Sequence, residues 1–253
     1  MRIKSVIAAL RRHIPGNPTI VVEYTPGAGG RKAANHVFRT SRPDGLTIGA
    51  MLSSLVPSAI TGETGVLYDI DKFIYLGTPY SGHPHIFLSR RELGANTLDK
   101  LRALSGLRLG AQSVGHTIYY TGRMFTYLIG LKEPKSVIGY SGPELDIAFL
   151  RGEVDVRLNH PDNPLRQGWF DKELVNVHAI IEVPKGRSHP HSRYATLPDL
   201  ESFVKNEKER KLVAMHRTFQ LAGSPFVLPP GTPHDRVVDL FKTLFGAGTL
   251  PPR

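Results

Sequence analysis

The strongest constraint on this chain is a repeated switch of hydrophobic period. Short runs rich in β-branched and aromatic residues alternate with stretches whose apolar residues recur every three to four positions. Thr19–Tyr24, Leu46–Leu52, Lys72–Gly77, His85–Ser89, Leu107–Gln112, Glu153–Leu158 and Val177–Val183 read as strands. Arg31–Thr40, Asp99–Leu104, Thr117–Ile129 and Pro143–Arg151 read as helices, and a last helix opens with Thr232 as N-cap and Pro233 at its first position. Alternation of this kind argues for an α/β fold with largely parallel sheets, because parallel neighbours need a crossover that is usually helical. With 253 residues the chain can bury one large core or two modest ones.

Between the first strand and the first of these helices lies Pro26-Gly27-Ala28-Gly29-Gly30. A junction of this type aims backbone N–H groups at whatever lies above it. The familiar phosphate loops do not fit: Arg31-Lys32-Ala33 after Gly30 gives no hydroxyl for a magnesium ion, and Lys32 occupies the third glycine position of a dinucleotide fingerprint. A tight turn whose glycines supply positive φ is the plainer reading.

The formal net charge of +10 is spread as isolated residues and pairs, and the run "VKNEKERKL" at 204 to 212 mixes signs as a solvated helix face does. Charge alone therefore does not make a nucleic-acid binder. The chain has no cysteine, so disulfides and thiolate metal sites are excluded, and no apolar run approaches a membrane span. Ser5–Leu10 is too short for the core of a signal peptide, and the opening stretch reads as an amphipathic helix with Ile3, Val6, Ile7, Leu10 and Ile14 on one face. Two His-Pro-His steps, His83/His85 and His189/His191, could each offer two imidazoles, but no carboxylate frame joins them and surface turns are the expectation. A G-x-S-x-G nucleophile elbow is absent.

Two segments place polar groups where a ligand could use them. A strand ends at Gln112, the turn Ser113-Val114-Gly115-His116 follows, and a helix begins at Thr117. A second strand ends at Tyr140, Ser141 is a plausible N-cap, Gly142 follows, and another helix begins near Pro143. Both are helix N-termini at the carboxyl ends of strands, where open α/β sheets bind ligands; capping by itself is the alternative for each.

Taken together, "NPTIVVEYTPGAGGRKAANHVFRTSRPDGLTIGAM" resembles the segment that follows the first helix in solute receptors of tripartite tricarboxylate transporters, the Bug or TctC-like proteins. "IGYSGPELDIAFLRGEVDV", "GAQSVGHTIYYTGRMF" and "FVLPPGTPHDRVVDLF" are similar to later segments of that family, so the resemblance covers most of residues 3 to 245. It implies the two-lobed periplasmic binding protein fold of type II, each lobe a mostly parallel sheet flanked by helices. Residues 1–80 and 220–253 would form lobe one and 81–219 lobe two, with a cleft that closes on solute.

The same resemblance implies a noncatalytic receptor for a small carboxylate, working in the periplasm as a monomer with membrane permease subunits, without cofactor, metal or nucleic acid. By family position the ligand would meet Ser53, Ser54, Gln112, Ser113, Val114, Gly115, His116, Thr117, Tyr140, Ser141 and Gly142. Family members open with a strand and a "PGGxxD" loop, whereas Met1 here falls in the helix expected after them, and the chain stops short of the expected C-terminal helices. A sheet lacking the first strand of lobe one, with lowered stability, is therefore the expectation. An α/β enzyme acting on a small anion and a truncated receptor without binding activity are the competing expectations.

Overall fold

The computed structural model describes residues 16 to 245 and, ahead of them, Val6, Ile7, Leu10, Arg11 and Ile14. The helix expected over 2 to 14 and the chain end after 245 lie for the most part outside the described residues. In chain order the elements are α1 (Arg31–Arg39), β1 (Gly49–Ala50), α2 (Leu55–Ile60), β2 (Ile74–Gly77), β3 (His85–Arg90), α3 (Leu98–Ala103), β4 (Arg108–Gly110), α4 (Thr117–Ile129), β5 (Lys135–Val137), α5 (Gly142–Leu150), β6 (Val156–Asn159), α6 (Asp162–Arg166), β7 (Val175–Ile181), α7 (Glu207–Ala222), β8 (Phe226–Leu228) and α8 (His234–Phe245).

The chain forms two compact units, one from Met1–Ser81 with Ala222–Arg253 and the other from Gly82–Leu221. At the crossing, Gly82 donates its N–H to the Gln220 carbonyl at 3.0 Å within the second unit, and Ser224 donates to Tyr80 at 2.9 Å within the first. Gly223 is required here: its φ is +64°, and a Cβ would lie 2.4 Å from the Tyr80 oxygen.

In the first unit the sheet order is β1-β8-β2, and both ladders run antiparallel. Helix α1 turns Ala34 and Val37 inward, one helical turn apart, onto Met51, Leu55, Tyr68, Phe73 and Val227. Phe38 meets Phe73 edge-on at 5.3 Å. Thr19–Tyr24, expected as a buried strand, is not one: Val21 is 76% and Tyr24 69% exposed. β-Branched residues favour an extended backbone, but a strand exists only against a partner ladder, and no described strand pairs with this run.

In the second unit the order is β5-β4-β6-β3-β7. β4 is parallel to β5 and β6, while β3 is antiparallel to both β6 and β7, so this sheet is mixed. The α/β class with helices around each sheet is as expected, but strand direction is not. Sequence patterning reports that a strand is buried on both faces, not which way its neighbour runs. β3, between β6 and β7, buries Ile86, Phe87 and Leu88 completely, and Phe87 stacks on Phe125 of α4 at 5.6 Å. At the other end of β3 and β4, the Asp155 carboxylate takes hydrogen bonds from the Arg108 side chain at 2.7 and 2.8 Å and from Arg90 at 3.2 Å. Burial alone would raise its pKa, but these bonds hold it down at about 2.

Candidate functional site

Because β4 and β6 are parallel and β3 opposes β6, one edge of the second sheet collects the ends of β4, β5 and β6 together with the start of β3. Pairing continues past β4: Ala111 donates to Val137, and Gly139 donates to the Gln112 carbonyl at 2.8 Å. The loops after β4 and β5 therefore leave the sheet side by side, and residues Gln112 to Thr117 and Tyr140 to Gly142 share that edge.

The Gln112 Oε1 and Ser113 Oγ atoms are buried without a hydrogen-bond partner. Val114 is exposed, and Gly115, at φ +86°, is buried in the turn before α4. His116, rather than a hydroxyl, is the N-cap: its Nδ1 accepts from the Ile118 N–H at 3.2 Å. Thr117 opens the helix and is buried. Ser141 caps α5 in a reciprocal box, accepting from the Glu144 N–H at 3.4 Å while its own N–H donates to the Glu144 carboxylate at 2.7 Å. Tyr140 donates to Glu153 at 3.4 Å, and Gly142 is the first residue of α5.

Ser53 and Ser54 belong to the first unit. The Ser54 hydroxyl is 2% exposed and donates to the Gly29 carbonyl at 2.6 Å, tying it to the glycine turn. The hollow there, lined by Gly29, Gly30, Ser54 and Tyr68 among others, is about 10 Å³, at most one water's worth of space. A hollow of about 470 Å³ in the second unit, lined by Tyr119, Arg123, Tyr127 and Pro134 among others, includes none of the expected site residues.

Side chains that the sequence reading did not place at a site complete the polar edge, among them His83 and His85, expected in a surface turn although His85 is buried. Asn159 ends β6; its Oδ1 accepts from the His160 N–H at 2.9 Å, which leaves Nδ2 buried without a partner. His85 opens β3 at 1% exposure, with Nδ1 unpartnered. Its ring lies 4.6 Å from His160 and 6.3 Å from His216 of α7, centroid to centroid. His83 is 6.0 Å from His160. Burial lowers the pKa of every one of these imidazoles: His116 and His160 to about 4, His216 to about 3, His85 well below its ordinary value and His83 more modestly. Burial therefore favours the neutral form of each. Among the described residues no group of three His, Asp or Glu side chains is arranged to hold a metal ion.

One signal for these residues was available in the sequence. The inward face of α7 reads Glu209, Val213, His216, Arg217, Gln220, which is helical spacing with polar side chains where apolar ones belong. Arg217 is accounted for by ion pairs with Asp199 at 2.8 Å and Glu201 at 2.5 Å, whereas His216 is not. The other His-Pro-His step goes elsewhere: His189 and His191 pack on Tyr194 at 5.0 and 5.8 Å.

No family model and no curated protein sequence matches the chain. Solved structures do. The periplasmic binding protein BugD superposes with a TM-score of 0.70 at 19% identity, over 96% of this chain and 75% of that one. The fold is that of a periplasmic binding protein. MatC from Rhodopseudomonas palustris, with bound malate, shares the binding-protein fold at TM-score 0.70 and 19% identity over 96% and 77% of the two chains. Another R. palustris protein, with adipate, has TM-score 0.65 at 16% identity over 96% and 76%.

Proposed function

We propose that the chain is a solute-binding receptor of the tripartite tricarboxylate type, a periplasmic, noncatalytic protein that captures a small carboxylate for a membrane permease. The carrying observation is the set of buried polar atoms without partners: Gln112 Oε1, Ser113 Oγ, Asn159 Nδ2 and His85 Nδ1 where β4, β6 and β3 meet one edge of the second sheet, and Nε2 of His216 on α7, whose ring is 6.3 Å from that of His85. Leaving such atoms unpaired costs about 1–3 kcal/mol each, so a fold that keeps several together is built to receive hydrogen-bonding groups. Structures of this fold with malate and adipate, and the motif resemblance over most of the chain, support carboxylates as the solute class.

A thermal-shift screen of C4 to C6 dicarboxylates, aromatic acids and amides, with nucleotides as the counter-set, tests this reading. Stabilisation by one or more carboxylates is expected. Silence from all of them, or a response to nucleotides alone, overturns it.

A further inference from the structure

We infer that the solute is bound as an anion together with one proton, which is taken from solvent onto His216 Nε2. This rests on the receptor reading above and names the charge chemistry of the same site.

Hydrogen bonding fixes the tautomer of His216. The Thr121 hydroxyl donates its hydrogen to the Thr117 carbonyl at 2.8 Å. Toward His216 Nδ1, 3.4 Å away, its oxygen can therefore only accept, so Nδ1 carries the hydrogen. Nε2 is then a bare lone pair on a side chain 6% exposed, with no donor facing it. A buried lone pair is a poor neighbour for a carboxylate oxygen, since both accept. Protonation turns Nε2 into a charged donor and resolves the conflict.

Among the described residues, the positive charge acting on His216 itself is that of Arg217. Among the described residues, the groups facing the cluster are His83 and His85 at the start of β3, His116 at the head of α4, His160 after β6, Asp162 on α6, Arg187 beyond β7 and Arg217 beside His216 on α7. Arg217 is already bound to Asp199, Glu201 and the Glu182 carbonyl. Arg187 acts on His83, whose ring is 6.0 Å from His160. An anion placed beside these imidazoles raises the proton affinity of the nearest one. Uptake stops at one because a second imidazolium on His85, 6.3 Å from His216 ring to ring, would repel the first. The proton joins the Nε2 lone pair, no bond to carbon changes, and the complex gains one negative charge fewer than the solute brings.

Titration calorimetry of the whole chain with malate and with adipate, in two buffers of different ionisation enthalpy at pH 6.5, reads the proton number directly. About one proton taken up per solute is expected, with Kd rising up to roughly tenfold per pH unit between pH 5 and 7, the slope of one linked proton. In His216→Gln the uptake falls toward zero and the pH slope flattens, while a melt at pH 7.5 reports whether the variant folds. Binding with no proton uptake and a flat pH profile overturns the inference and leaves the receptor reading standing. Uptake that survives in folded His216→Gln overturns it equally, and failure of both acids to bind while another carboxylate binds without uptake does the same. Silence from every carboxylate overturns the receptor reading and this inference with it.

Discussion

The two units meet the same folding problem with different resources. The second buries a continuous cluster running from Ile86 through Phe125 and Trp169 to Val213, on a five-stranded sheet. Among the described residues the first has two small clusters, around Phe73 and around Leu228, on three short strands, and shows Val21, Tyr24, Leu46 and Leu67 to solvent. Apolar area removed from water is the main favourable term in folding, so the second unit has more to set against unpaired polar groups than the described part of the first. That is where the unpartnered atoms of the proposed site lie.

The largest effect expected from this contrast is all-or-none. Residues 82–221 expressed alone should unfold cooperatively in urea, while 1–81 joined to 222–253 should show no cooperative transition by circular dichroism; a cooperative first unit would break the comparison. Next comes acid. His116, His160, His178 and His216, all in the second unit, have folded pKa values of about 3 to 4, against about 6.5 unfolded. Above pH 6.5 both states are neutral; below it the unfolded chain takes protons that the folded one refuses, so stability falls as pH drops from 6.5 toward 4, by at most about 1.4 kcal/mol per histidine per pH unit. The described histidines of the first unit, His36 and His234, are exposed, so denaturation at stepped pH should show the acid loss in 82–221.

Single substitutions sharpen the contrast further. Phe87→Ala should cost about 3–5 kcal/mol, and Phe73→Ala, in a smaller cluster that relaxes more easily, about 3 kcal/mol, both read from denaturation midpoints. At the small end, Ser141→Ala removes half of a capping box and should cost about 1 kcal/mol, while Val21→Ala, on an exposed loop, should change stability by less than about 0.5 kcal/mol.

How legible all this was in the sequence divides along the same line. Helices α1, α4 and α5 fall where periodicity puts them, since an amphipathic stripe and its caps are local: Gly130 ends α4 with φ +81°, and Ser141 opens α5. The loops at Gln112–Thr117 and Tyr140–Gly142 were legible as strand-to-helix junctions for the same reason. Strand direction and the fate of Thr19–Tyr24 were not, because both depend on partners distant in the chain. His85, Asn159 and His216 were missed as a group because their proximity is created by the β3-β6 register and by α7 packing, across separations that no motif spans.

The bond between Gly82 and Gln220 also sets an order of assembly. The second unit begins and ends at one place, so everything it needs has been synthesised once residue 221 leaves the ribosome. The first unit's middle strand, β8, is still to come, and until Val227 arrives, Val37, Met51 and Phe73 have no sheet to close upon. Synthesis therefore completes the inserted unit first and leaves the one that starts the chain to finish last, against the usual N-to-C sequence of domain folding.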